Sequence, residues 1–511
     1  MKKLLRFFIS RLFWFSLLIV VQIAILVVIL LNLSSYSNYI YAAFVLLSLA
    51  IVIWLVAKDD DNPSYKITWI ILIMTLPVLG GFFYLKFGNK TLPRHHLEKM
   101  EAHRRSHAAL YTEEAGDTTA LMEAYPKFSI QTDYVRRVSG YPAYAGTQVE
   151  YAPLGEDFFR MLCEELPRAQ KFIFLEYFIV EKGLMWDTIL KLLKERAAAG
   201  VEVCLIYDDF GCIRRLSASY PRELAAYNIK AIPFNPLRPS MDPSLNYRDH
   251  RKICVIDGRI AFTGGVNFAD EYINEVERFG HWKDTAILLR GTAVRSMTRM
   301  FLQHWTLHVK NDALKNPEAE YLISPPVPAQ GFVQPFPDTP LDHFNVAENA
   351  YQHLIQRSSR YVYITTPYLI LDNEFITTLK TAAESGVDVR IITPSHPDKW
   401  YVHMVSRSYY QTLIQSGVKI YEYQPGFIHA KMAICDDDAA MVGTANLDYR
   451  SLYLHYENAV LLFQTSVISD IKKDFEKALE KSRQITIEEL RSKLRGTSVL
   501  CALLKLLAPL M

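Results

Sequence analysis

No two cysteines in this chain form a CxxC pair or stand at zinc-finger spacing. The six present, Cys163, Cys204, Cys212, Cys254, Cys435 and Cys501, lie mostly in apolar, strand-like runs, the pattern of buried free thiols. A chain of 511 residues needs no disulfide framework. A strong charge of either sign is also lacking. Fifty-six Lys and Arg against 54 Asp and Glu leave a net charge of +2, which excludes the whole-chain footprint of a polyanion-binding protein and predicts no nucleic-acid partner. Charged residues reach only 22% while hydrophobic ones reach 50%, so apolar residues must be concentrated somewhere. Most of the long apolar runs lie before Phe87.

Residues 12–33 are almost uninterruptedly apolar, with Gln22 the main exception, and about 20 such residues in a helix cross a bilayer. A second run, 39–56, starts with tyrosines and ends near Trp54, the aromatic edges of an interface. A third, 67–87, carries Pro77, Gly80 and Gly81 and either spans with a kink or turns back as a hairpin. Lys2, Lys3 and Arg6 resemble the start of a signal peptide, but the first run is too long and a second follows at once, which favours an uncleaved anchor. Basic residues before the first run and after the third (Lys86, Lys90, Arg94, Lys99) both read as internal, which requires an even number of crossings. The expectation is a multi-pass cell-membrane protein whose remaining chain faces the cytoplasm.

Beyond a basic linker at 89–126, short β-branched and aromatic runs alternate with helical stretches, which predicts α/β layers. Two stretches repeat each other. FIFLEYFIVEKGLMWDTILKLLKERAAAGVEVCLIYDDFG, from Phe172, and YVYITTPYLILDNEFITTLKTAAESGVDVRIITP, from Tyr361, both read strand, turn, amphipathic helix, strand. Prolines across 321–341 oppose regular structure and mark a joint. The map is an anchor (1–88), the linker, a first half (127–320), the joint, a second half (342–484) and an amphipathic tail (485–511) that either lies on the bilayer surface or packs on the second half. A doubled unit without a third copy predicts a pseudo-two-fold pair with a site on its axis.

Each half carries one polar constellation. His250, Lys252, Asp257, Gly264 and Asn267 recur as His429, Lys431, Asp436, Gly443 and Asn446, at a constant offset of 179 residues. The residues that follow each motif are apolar, so His and Lys at i and i+2 are expected on one face of a strand, imidazole beside ammonium. Asp257 and Asp436 fall at strand-ending turns and at odd separation from the histidine, which aims them at the opposite face to support a loop. Asn267 and Asn446 offer amide hydrogens to an oxyanion. A single such motif is unremarkable, because a lone His or Lys is usually structural. Two with identical spacing are not.

The pattern HxKxxxxD with its downstream Gly and Asn resembles the phospholipase D superfamily. Within it LEYFIVEKG, NYRDHRKICVIDG, HWKDTAILLRG, HAKMAICDD and GTANLDYRS resemble the bacterial cardiolipin synthases. The resemblance implies two phospholipase D-like α/β/α halves behind transmembrane helices, with both motifs meeting on one phosphodiester and no metal or other cofactor. It implies a catalytic set of His250, Lys252, Asp257, His429, Lys431 and Asp436, with His250 as nucleophile, His429 as general acid and base, and Asn267 and Asn446 on the phosphate. An acid downstream of each motif orients its histidine: Glu457 is the candidate beside His429, and Asp284 beside His250. Arg248 and the Arg450-Ser451 pair either touch a headgroup or cap loops. The implied reaction makes cardiolipin and glycerol from two molecules of phosphatidylglycerol, with membrane lipids as partners. Hydrolysis, transfer to another alcohol, and a lipid-binding scaffold without turnover stay open as alternatives.

Overall fold

The computed structural model of the chain describes residues 37–58, 62–76, 79–88, 94–112, 116–237, 246–309, 314–494 and 498–510. The first apolar run, 12–33, lies outside them. The chain forms two compact units, one comprising residues 1–93 and 235–247, the other holding nearly all the rest.

In the first unit the helix Ser37–Ala57 carries no charged residue, and Pro63–Thr75 follows it after a turn. Asn62 caps the second helix by accepting from Ser64 N at 2.9 Å, with Pro63 at the first helical position where no amide hydrogen is needed. Ile51, Leu55, Tyr65, Trp69, Ile73 and Tyr84 close into a small core, while Leu46, Leu47, Ile53 and Trp54 remain exposed. The side chains of the first turn of Ser37–Ala57 are not all described. Counted over the described residues, no helix is long and apolar enough to cross a membrane.

In the second unit the duplication is visible as topology. One sheet runs in the order Thr147–Ala152, Ala286–Gly291, Ile260–Gly264, Lys252–Ile256, Phe172–Tyr177, Glu202–Asp208, Ile229–Phe234. The other repeats it as Phe332–Asp338, His455–Phe463, Ala439–Gly443, Met432–Cys435, Tyr361–Thr365, Asp388–Pro394, Lys419–Tyr423, with Ser482–Gln484 added at the far edge. Parallel pairs at one end (Phe172–Tyr177 with Glu202–Asp208, Tyr361–Thr365 with Asp388–Pro394) are bridged by the helices Leu184–Ala198 and Asn373–Glu384. Antiparallel hairpins form the other end. One continuous apolar core draws on both sheets, from Phe174, Val255 and Phe301 to Val362, Met432 and Val460.

Two boundaries differ from expectation. The stretch 89–126 contains the helix Arg94–Ser106, and Leu110 and Leu121 enter the main core, with Gln303 Nε2 donating to Leu110 O at 2.5 Å. The proline-rich joint contains a seven-residue strand, Phe332–Asp338, paired with His455–Phe463 at the sheet edge. Val333 N donates outward to Tyr144 O, so Pro335 and Pro337, in the same phase, lack a hydrogen only where the ladder needs none. The tail packs through Lys505 over the Tyr409 ring at 4.4 Å and leaves Leu500, Leu503 and Leu507 exposed.

Candidate active site

Both histidines stand where the chain changes partners. Arg248–Asp249 pairs in parallel with His455 and Tyr456 of the other half, His250 N donates to Tyr456 O at 2.9 Å, and the chain then enters its own sheet at Lys252. Gly426–Ile428 pairs in parallel with His281–Lys283, His429 N donates to Lys283 O at 2.7 Å, and Met432 begins the next strand. Each histidine is therefore the corner residue between an inter-half pairing and an intra-half sheet, and it does not share a strand with its lysine.

This crossing corrects the expected pairing of acids. His250 Nδ1 lies 2.9 Å from Glu457 Oε1 and 3.0 Å from Oε2, and His429 Nδ1 lies 2.5 Å from Asp284 Oδ2. Each carboxylate comes from the half opposite its histidine. The strands that carry the acids, His455–Phe463 and His281–Lys283 with its extension, are the ones the histidine segments pair with across the interface.

The lysines point back at the same corners: Lys252 Nζ donates to His250 O at 2.6 Å, and Lys431 Nζ to His429 O. Burial lowers Lys252 to about 8 against the pull of Glu457 and Asp284. Burial, with Lys252 adding, lowers Lys431 to about 7 against Asp284. Burial and then Lys431 bring His429 to about 4, with Asp284 opposing. Burial, Lys252, Lys431 and His429 hold His250 well below its ordinary value. Burial pushes Asp284 up, but the charges of His429 and Lys431 outweigh it and leave the carboxyl below its usual range. The two motifs thus lie in each other's electrostatic field, short of negative charge.

Asp257 and Asp436 do not reach this site, which corrects their place in the catalytic set. Asp257 accepts from the amides of Gln170, Lys171 and Phe172 at 2.7 to 2.8 Å. Asp436 accepts from Ser359 N, Arg360 N and Tyr361 N at 2.7 to 3.0 Å and from Lys127 Nζ at 2.8 Å. Both have φ of 54°, in the turn of a hairpin, and each clamps the start of the central strand of its own half. Each lies just past the far end of the strand that leads away from its histidine corner, Lys252–Ile256 or Met432–Cys435. Asn267 Oδ1 accepts from Ile179 N at 3.1 Å and its Nδ2 donates to Tyr272 Oη at 2.7 Å, while Asn446 is buried with its Oδ1 lacking a hydrogen-bond partner among the described residues.

The difference between Gly264-Gly265 and Gly443-Thr444 has a local cause. A Cβ on Gly265 would meet Asp284 Oδ1 at 2.0 Å, whereas Thr444 Oγ1 donates to Glu457 Oε2 at 2.5 Å. Ser451 Oγ donates to Glu457 Oε1 as well. Glu457 therefore shares its charge among His250 and two hydroxyls, while Asp284 accepts from His429 and the Thr285 amide. Thr444 and His455 are residues that sequence reasoning passed over. The Gly-Thr departure and the His-x-Glu spacing were the available signals.

Among the described residues, two buried clusters have donor atoms close enough for a metal: His250, His455 and Glu457, and Glu176, Asp249 and His304. Lys252 and Lys431 act on His250. Arg251 lies 2.8 Å from Glu176 and 3.2 Å from Asp249.

Residues 162–305 and 351–479 match the family described as cardiolipin synthase, PLD-like domain, and residues 40–89 match the phospholipase D-nuclease N-terminal family. The chain is 33% identical over 479 residues to a cardiolipin synthase of Geobacillus thermodenitrificans, covering 92% of this chain and 94% of the relative. It is 34% identical over 456 residues to cardiolipin synthase 2 of Bacillus anthracis, covering 89% and 88%. In fold it is similar to the phosphatidylserine synthase of Haemophilus influenzae (TM-score 0.55, 16% identity, covering 75% of this chain and 100% of that one). With two motif-bearing halves of one topology and relatives spanning nearly its whole length, the chain belongs to the cardiolipin synthases, the phosphatidyltransferases built on phospholipase D-like domains.

Proposed function

We propose that the protein transfers a phosphatidyl group from one phosphatidylglycerol to the terminal hydroxyl of a second, releasing glycerol and forming cardiolipin. The observation that carries this reading is the pair of buried histidines, each with Nδ1 against a carboxylate and each within the field of both motif lysines. A hydrogen held at Nδ1 leaves the lone pair at Nε2.

His250 Nε2 attacks phosphorus, the P–O bond to glycerol breaks, and a proton from His429 Nε2 goes to the departing oxygen. The hydroxyl of the second lipid then returns a proton to His429, its oxygen bonds to phosphorus, and the N–P bond breaks. Asp284, accepting from His429 alone among the described side chains, favours His429 as the group that carries the proton. Glu457, shared with Thr444 and Ser451, leaves His250 the more weakly basic and neutral partner. Lys252, Lys431, Asn267 and Asn446 supply donors to the phosphoryl oxygens, where charge builds up. Asp284 and Glu457 act as positioning residues for the two imidazoles.

The same reading places the N-terminal apolar segments in the cell membrane and the second unit on its cytoplasmic side. The uncharged helix Ser37–Ala57, the almost uninterrupted apolar run at 12–33 and the flanking basic residues support it. The test is full-length protein in vesicles of phosphatidylglycerol alone. Cardiolipin with stoichiometric glycerol is expected; phosphatidic acid as the main product overturns transfer in favour of hydrolysis. Acid-quenched phosphoenzyme should carry its label on His250, and label on His429 reverses the roles.

A further inference from the structure

The pseudo-two-fold is broken around the two histidines in one consistent direction. The motif offset sets Phe427 opposite Arg248 and Arg450 opposite Glu271, and the position two before each acid is Trp282 in one half and His455 in the other. His429 is walled by aromatic rings, with Phe427 at 5.8 Å and Trp282 at 5.3 Å between centroids. His250 has one such ring, Phe178 at 5.1 Å, and cationic and polar neighbours beside it. Arg248 and His455 are direct partners in the inter-half pairing, and the His455 ring lies 5.6 Å from that of His250. Arg450 sits in the helix Tyr449–Tyr453, which Leu454 N closes by donating to Arg450 O at 3.0 Å and which that strand follows directly in the chain.

His455 is only 8% exposed, and neither ring nitrogen has a hydrogen-bond partner among the described residues. Glu457 Oε1, at 3.7 Å, is out of reach. A buried imidazole with both nitrogens unpaired is costly and calls for a polar ligand. Asp208 lies 3.6 Å from Arg248, and Asp448 caps the Arg450 helix. Burial holds Arg450 below its ordinary value, with Asp448 opposing and Arg248 adding to the effect.

We propose that Arg248, Arg450 and His455 form a second anion subsite beside His250 that takes the phosphodiester of the acceptor lipid. This rests on the transfer reading above. The acceptor's own phosphate must lie within one glycerol unit of the reacting phosphorus, and Arg248 and Arg450 offer it positive charge on the His250 side. The subsite selects an anionic lipid acceptor over a neutral alcohol.

The experiment compares two fates of one phosphoenzyme in phosphatidylglycerol vesicles: cardiolipin formation, and exchange of labelled glycerol into phosphatidylglycerol. In Arg450→Gln and His455→Phe the ratio of cardiolipin to exchange should fall by about tenfold or more, the loss expected for a charge-assisted contact. An unchanged ratio overturns the subsite. On unaltered protein, inorganic phosphate should suppress cardiolipin formation more than exchange, and a higher phosphatidylglycerol fraction should relieve it. Equal suppression of both, or suppression that the lipid does not relieve, identifies a free-phosphate site and also overturns the proposal. If the unaltered protein makes no cardiolipin at all, the transfer reading itself fails, independently of either ratio.

Discussion

Asp284→Asn isolates the crossed arrangement of acids. The substitution keeps size and removes one charge from a buried carboxylate 2.5 Å from His429 Nδ1. Two effects add. His429 already sits near 4 against the pull of Asp284, so losing that pull lowers it further and leaves less imidazolium to protonate the leaving glycerol. The new amide can also present its NH2 to Nδ1, which moves the ring hydrogen to Nε2 and removes the lone pair needed to accept the proton of the incoming hydroxyl. A charge-assisted hydrogen bond is worth about 1.5–3 kcal/mol, or roughly ten- to a hundredfold in kcat, and the tautomer change carries the loss to about a thousandfold. KM should move little, because the carboxylate orients a ring and does not hold the lipid. The assay pairs initial rates on phosphatidylglycerol vesicles with nitrogen-15 histidine spectra of the same protein. The His429 ring signals should change tautomer or shift, and those of His250, which feels Asp284 only through its charge, should move less. A shift confined to His250, or a kcat within threefold of the parent, refutes the crossed pairing.

Gly265→Ala should mimic that variant without touching a titratable group, because its methyl would occupy the space of the Asp284 carboxylate; a kcat loss without a change in the His429 signals would count against it. Lys431→Met should abolish transfer yet raise Tm. The folded-state value of Lys431, near 7 against 10.5, means the buried charge costs stability in full below pH 7 and progressively less toward pH 10.5, so the gain should fade across that window in melts run at several pH values. Asp436→Asn should lower stability by about 1–3 kcal/mol, since three amides lose a charged acceptor, while kcat per folded molecule stays close to that of the parent. Denaturant titration with active-site counting separates the two.

Much of the fold was legible because duplication writes the same local signals twice. The strand–helix–strand stretches from Phe172 and Tyr361, and the constant offset between His250 and His429, gave the doubled α/β unit before any coordinates. The odd spacing of Asp257 and Asp436 already turned them toward a loop. What was not legible lies in long-range pairing. His250 and Glu457 are 207 residues apart, and His429 and Asp284 145, so the nearer downstream acid looked like the partner of each histidine. The short strands Arg248–Asp249 and Gly426–Ile428 that carry out the exchange are too brief to announce themselves. Pro335 and Pro337 misled for a related reason: proline opposes a strand only where the neighbouring chain needs its hydrogen, and an edge does not.

In the proposed mechanism the crossing makes the interface between halves part of the catalytic apparatus, because neither histidine has its acid unless both sheets are in register. Asn458 follows Glu457 and donates through Nδ2 to Thr263 Oγ1 at 2.8 Å, and Thr263 precedes Gly264 and Gly265, against which Asp284 lies. One hydrogen bond therefore stands between the two histidine–acid pairs. Thr263→Val keeps the shape and removes the acceptor, leaving Asn458 Nδ2 without this bond beside an Oδ1 that has no partner among the described residues. The cost should be about 1–3 kcal/mol, seen as a Tm lower by a few degrees. If the halves act as one site, kcat should fall beyond what the unfolded fraction explains, and both histidine signals should broaden together. If instead Tm drops while kcat per folded molecule and both histidine spectra are preserved, the bond serves the sheet alone and the coupling between the two pairs is refuted.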